Sequence, residues 1–308
     1  MAFITPCFLK KIKAILASSL IFVPTIVSAT DSGQILTSIK PLALIAREIT
    51  DGSELKVDYL LPPTVSEHHY ALRVSDAKKL REATLVIWLG PEMEPYLQSS
   101  LDTWAPARAG PAKSLSLLAN MVFDDPVYEE ESTSLRTVDP HIWLSPLLAQ
   151  QVAKQVADRL AAVYPTDKRR FEDNLKRFSR KASTLDQATN ELLEAHENKP
   201  FLVYHSAYGY FVKRYKLNQI GALHTQPGAT MSLKQLNELQ LIVGRQVQPV
   251  CLFREPQFKS APVPAFQGVN TIQTGELDPL GINADSYEQL IENLARSFLL
   301  CFAQNEKG

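Results

Sequence analysis

Between Asp167 and Glu197 the chain runs without a single glycine or proline, and it is rich there in Lys, Arg, Glu, Leu and Ala. The two residue types that most reliably stop a helix are absent. About 30 helical residues at about 1.5 Å each span about 45 Å, the length of a whole domain. A helix of that length predicts a rigid connection between two separate lobes.

The flanking sequence supports that division. On the N-terminal side, short apolar runs alternate with helical patterns. Residues 34–39 read as a strand, 41–49 as a helix opened by proline, and 55–61 as a strand ended by Pro62 and Pro63. Ser75 and Asp76 are suited to cap a helix that runs to Glu82. Residues 84–89 (TLVIWL) form a continuous apolar run of the kind found in buried strands. Helical spacing returns over 146–163. After the long helix the pattern repeats: strands at 201–204, 217–223, 250–253 and 271–275, with helices at 207–215, 232–245, 259–266 and 286–302. Strands alternating with helices imply parallel sheets covered on both faces. The predicted fold is therefore α/β: two Rossmann-like lobes, residues 30–165 and 199–308, joined by the helix at 166–198. Residues 121–138, which include Asp124, Asp125, Glu129, Glu130 and Glu131, carry no period and read as an acidic loop.

The first 29 residues stand apart from this pattern. Lys10, Lys11 and Lys13 precede an apolar run from Ala14 to Ile26, which is followed by Val27-Ser28-Ala29. This is the layout of a secretory signal peptide. The run is about 13 residues and contains Pro24, whereas a membrane span needs about 20. Export to the periplasm is the expectation. Cys7 precedes the apolar run, so it cannot be a lipoprotein cysteine, and no direct membrane anchor is expected. Cleavage after Ala29 leaves Lys+Arg 29 against Asp+Glu 33, a net charge near −4. No basic excess points to nucleic acid. Two cysteines remain, Cys251 and Cys301. In an exported chain an even pair suggests one disulfide, against the alternative of two buried thiols.

The chain has six histidines: His68, His69, His141, His196, His205 and His224. HExxH, CxxC, P-loop and GxSxG motifs are all absent. Position is the more informative signal. His68 follows the second strand, His141 precedes a helix, His205 follows the strand at 201–204, and Asp278 follows the strand at 271–275. In open α/β sheets the loops at the carboxyl ends of strands line the ligand crevice. Four such loops, two from each half, are placed to converge between the lobes. His196 lies among Glu194 and Glu197 on the long helix and reads as solvated.

Longer motifs say more. Residues 60–76 read LLPPTVSEHHYALRVSD. They are followed in order by LVIWLGPEMEPYL from Leu85, DPHIWLSP from Asp139, VYHSAYGYFVKRY from Val203, CLFREPQF from Cys251 and LDPLG from Leu277. This series strongly resembles the cluster A-I (cluster 9) metal-binding proteins, the solute-binding components of bacterial ABC importers for zinc and manganese, and most of all their periplasmic zinc-binding members. It spans residues 34–305. The resemblance implies two α/β lobes tied by a long helix, and metal ligands at His68, His141 and His205. It places the family's C-terminal aspartate at Asp278 and offers Glu67 as an alternative fourth ligand. It also implies a disulfide between Cys251 and Cys301. The expected cargo is Zn2+ and the expected partner is the membrane permease of a zinc ABC importer; a monomer without enzymatic activity is expected.

The third ligand discriminates between metals. Manganese members usually carry glutamate where this chain has His205, and imidazole nitrogen suits zinc while oxygen-rich sets suit manganese. Manganese or another divalent metal is the nearer alternative. A zinc hydrolase, which would also use three histidines and an open position, is the more distant one. Three departures from the family pattern stand out. Residues 121–138 contain acids and no histidine where many zinc members have a histidine-rich loop. Ser206 follows the third histidine where aspartate is common, so a carboxylate that would orient a ligand is expected to be missing. The segment from His224 to Gly228 is short.

Overall fold

A computed structural model describes residues 1–3, 33–68, 70–104, 113–127, 138–224, 231–258, 266, 268–269 and 272–304. All but the first three residues of the expected leader lie outside the described residues. So do His69, most of the acidic loop at 121–138, and the helix expected over 259–266 apart from Phe266.

The N-terminal lobe runs β1 (Gln34–Thr37), α1 (Lys40–Thr50), β2 (Lys56–Tyr59), α2 (Val74–Glu82), β3 (Leu85–Trp88), α3 (Pro95–Trp104) and β4 (Ser114–Ser116). Its four strands are all parallel, in the order β2-β1-β3-β4. The apolar run at β3 is buried at every position, which fits a central strand covered on both faces. α2 starts one residue before the expected caps. Asp76 works from inside its first turn, where its carboxylate accepts the main-chain N–H of Arg73 at 2.8 Å and the Tyr70 hydroxyl at 2.7 Å.

α4 (Pro146–Val163) opens with proline, and its first turn is capped by Ser145, whose hydroxyl accepts the N–H of Leu148. The connecting helix α5 (Lys168–Leu193) is followed by a 3-10 turn at Glu194–His196. The side chains it buries, among them Phe171, Phe178, Leu185 and Leu193, recur at helical spacing. α5 packs against α1, α4 and α8. Asn174 donates to the carbonyls of Ile49 and Asp51 at 2.8 and 2.9 Å, satisfying acceptors that the end of α1 leaves open. Lys181 pairs with Glu48 of α1 at 3.1 Å and Glu288 of α8 at 3.2 Å. The ring of His196 is not solvated as expected: it stacks on Phe302, with centroids 5.7 Å apart.

The C-terminal lobe repeats the first: β5 (Pro200–His205), α6 (Gly209–Arg214), β6 (Asn218–His224), α7 (Leu233–Gly244), β7 (Val250–Arg254), β8 (Ile272–Glu276) and α8 (Tyr287–Gln304). Its sheet is again parallel, in the equivalent order β6-β5-β7-β8. Cys251 of β7 and Cys301 of α8 form a disulfide, with Cα atoms 6.1 Å apart. In each sheet the chain lays its second strand on one side of the first and its third strand on the other. That reversal leaves a crevice beyond the carboxyl ends of the central strands. The turn after β8 is fastened to the other lobe: Trp143 donates to the Pro279 carbonyl at 2.8 Å and Lys40 to that of Ile282 at 2.9 Å.

Candidate metal centre

Four side chains meet between the lobes. Glu67 and His68 come from the loop between β2 and α2, His141 from the turn before α4, and His205 from the last position of β5. Each offers one ligand atom, and these atoms all lie within 4.8 Å of one another. Nε2 of His68 is 3.1 Å from Nε2 of His205. Nε2 of His141 is 3.7 Å from Oε1 of Glu67. Two Zn–N bonds of about 2.0–2.1 Å at the tetrahedral angle would set their nitrogens roughly 3.3 Å apart. The spacing therefore fits a small tetrahedral cation.

Burial sharpens the point. Glu67, His141 and His205 are buried, and His68 is half-buried. Glu67 Oε1 and His141 Nε2 are buried atoms with no hydrogen-bond partner. Buried polar atoms are nearly always paired, so an unpaired set aimed at one point signals a ligand.

Two further carboxylates orient the rings. Asp139 Oδ1 lies 2.7 Å from His141 Nδ1 and accepts the His141 main-chain N–H at 2.9 Å. With the Nδ1 proton held there, Nε2 turns its lone pair into the site. Glu255, just past β7, lies 3.5 Å from His205 Nδ1, an ion-pair distance rather than a hydrogen bond. The Tyr208 hydroxyl donates to Glu255 at 3.0 Å. The carboxylate expected to be missing at Ser206 is therefore present after all: Glu255 supplies it from the end of the neighbouring strand. Neither Asp139 nor Glu255 was singled out from sequence, although both lie in motifs quoted above. Their signal was position, two residues before His141 and at the carboxyl end of a central strand.

The local field follows from burial and these charges. Burial pushes the Glu67 carboxyl up to about 7, the neighbouring Glu255 adds to that rise, and His205 opposes it. Burial likewise raises Asp139 to about 7. Burial, reinforced by His205, holds His141 well below the usual imidazole range, in the neutral form a metal needs. For His205 burial works downward, but Glu255, Glu67 and Asp139 outweigh it and raise the ring.

Asp278 is not part of the grouped set. Its carboxylate faces its own turn, where Oδ1 accepts the N–H of Leu280 at 3.2 Å and of Gly281 at 2.9 Å, and Oδ2 accepts that of Ile282. Aspartate readily captures the amides that follow it, and this one is taken up by doing so. His224 ends β6 with its ring against Tyr204, centroids 4.8 Å apart, and also stands outside the set.

Two parallel α/β lobes, a connecting helix and a buried His/Glu cluster in the crevice define a solute-binding protein of the metal-binding class. The family model for the periplasmic zinc-uptake complex component A matches residues 35–301. The chain belongs to that family, ZnuA. The high-affinity zinc uptake system protein ZnuA of Haemophilus ducreyi is 32% identical, over 95% of this chain and 99% of its own length. The corresponding protein of Yersinia pestis is 33% identical, over 94% and 96%. Among solved structures, a ZnuA crystal structure superposes with a TM-score of 0.73 at 23% identity, covering 88% of this chain and 99% of its own. The periplasmic zinc binding protein TroA of Treponema pallidum superposes at 0.76 with 18% identity, covering 88% and 99%. These two likenesses bear on the fold.

Proposed function

We propose that this chain captures Zn2+ between its lobes and delivers it to the membrane permease of an ABC importer. The observation that carries the reading is the convergence of Glu67, His68, His141 and His205, with two buried atoms left unpaired among them. Three imidazoles and one carboxylate complete a tetrahedral set suited to zinc. Glu67 is the fourth ligand, and Asp278 shapes the turn beside the site. Residues 30–165 and 199–308 are the two lobes, and 166–198 the link. Residues 1–29 direct export to the periplasm and are removed. The mature protein acts as a monomer and turns over no substrate. Among the described residues no helix is long and apolar enough to cross a membrane.

The test is metal content and competition binding on protein beginning at Thr30, purified without a histidine tag and stripped with chelator. One tightly bound zinc per chain is expected, with manganese failing to displace it. His141→Ala and His205→Ala should each abolish that binding; unchanged zinc affinity in both variants sinks the reading.

A further inference from the structure

Gln257 lies two residues beyond Glu255, on the chain leaving β7. Its amide nitrogen is 2.8 Å from the main-chain oxygen of Pro63 and 3.3 Å from Oδ1 of Asp278. Both neighbours are acceptors, a carbonyl and a carboxylate, so only the nitrogen end of the amide can face them. Pro63 belongs to the loop that carries Glu67 and His68, and Asp278 to the turn after β8 in the other lobe. One uncharged side chain thus ties the loop carrying Glu67 and His68 to the C-terminal lobe.

The anchor on the far side is firm. Asp278 is held by the N–H groups of Leu280, Gly281 and Ile282. That turn is fastened to the opposite lobe through Trp143 and Lys40. The near side is stiff enough to transmit a pull. Pro62 and Pro63 restrict the backbone, and the Val65 N–H closes a turn onto the Pro62 carbonyl at 3.0 Å. Further along the same loop stands His68, the half-buried member of the grouped set and the one on the solvent side.

We propose that Gln257 is a clasp on the metal-bearing loop and sets how fast an ion enters and leaves. The proposal rests on the reading of Glu67, His68, His141 and His205 as the zinc site. Gln257 is a positioning residue, because its bonds run to Pro63 and Asp278 and not to the grouped ligands. Since neither partner is in that set, the clasp forms independently of the ion. It therefore raises the barrier to exit and to entry alike, and changes the equilibrium less than the rates.

Stopped-flow kinetics on the mature protein test this. Wild type, Gln257→Ala and Gln257→Glu are loaded with one equivalent of Zn2+ and mixed with an excess of a chromophoric chelator; capture is followed separately with a fluorescent zinc indicator. Release from Gln257→Ala should be about three- to tenfold faster, the rate equivalent of losing one or two hydrogen bonds. Gln257→Glu should release faster still, because its carboxylate faces a carbonyl and Asp278. Capture should also quicken, leaving affinity less altered than the release rate. Release at the wild-type rate in both variants overturns the clasp. So does faster release with slower capture, the mark of a damaged site rather than an opened one. A wild type that binds no zinc overturns the parent reading instead.

Discussion

Asp139 holds His141 by two bonds at once, its Oδ1 lying 2.7 Å from the ring nitrogen Nδ1 and 2.9 Å from the main-chain nitrogen. The pair fixes both the tautomer and the ring orientation. Partners of this kind typically contribute about 10–100-fold in metal affinity. Asp139→Ala should therefore weaken zinc binding by roughly that factor while one-to-one stoichiometry persists. Competition titration against a chelator of known affinity measures it; an unaltered affinity would show that the ring needs no such support.

Gly209 makes room for that aspartate. A Cβ built there would stand 2.7 Å from Asp139 Oδ2 and 2.6 Å from Val127 Cγ1. Gly209→Ala should displace Asp139, lowering stability by about 1–3 kcal/mol as overpacking does and weakening zinc binding in parallel. Thermal melts and the same titration report the two effects. Reduced stability with wild-type affinity would separate the packing role from the orienting one.

Zinc binding should release protons. Glu67 has its carboxyl pushed up to about 7, so near pH 6 it is largely protonated before binding and ionised once it coordinates the metal. The raised ring of His205 acts in the same direction. Affinity should fall as pH drops below about 7, and calorimetry in two buffers of different ionisation enthalpy should count the protons. Glu67→Gln should lower that count; no proton release at pH 6 contradicts the burial argument.

Without metal the sign reverses. Glu67, Glu94 and Asp139 are all raised to about 7 in the fold, so between their ordinary range and 7 the folded chain holds more protons than the unfolded one. Their contribution to stability is full below about 4.5 and is lost as pH rises through about 7. Melts of chelator-treated protein should show this slope, shallower in Glu94→Gln.

The disulfide closes a loop across a sequence separation of 50 residues, from the central part of the second sheet to the last helix. In the chain-entropy model its loss costs about 4 kcal/mol. The double variant Cys251→Ser, Cys301→Ser should lose about that much in denaturant unfolding and still bind one zinc, because neither sulfur belongs to the site. Loss of zinc binding in the folded variant would reveal a coupling between the bridge and the crevice.

Much of this was legible in the sequence, for definite reasons. α4 begins at Pro146 and ends at Val163 as its apolar spacing indicates, and α5 runs long because nothing between Lys168 and Leu193 breaks it. His68, His141 and His205 stood at the ends of strands or the start of a helix, where the fold gathers side chains. Less legible was what depends on neighbours across a sheet. β4 is three residues long, too short for any period, and exists through its pairing with β3. The carboxylate sought beside His205 comes from Glu255, because β5 and β7 are adjacent in space. That Glu67 stands with the three histidines while Asp278 turns to its own main chain depends on loop geometry. His196 looked solvated on its helix because the partner of its ring, Phe302, lies near the other end of the lobe's sequence.

The first and third histidines of the grouped set are 137 residues apart. A zinc finger gathers its ligands within a short stretch, so its metal can drive its folding. Here Glu67, His68 and His141 come from one lobe and His205 from the other, so the full set comes together only when both lobes have folded. A chain still unfolded therefore holds no complete set. For the zinc carrier proposed above, the order of events, fold first and fill second, follows from that spacing.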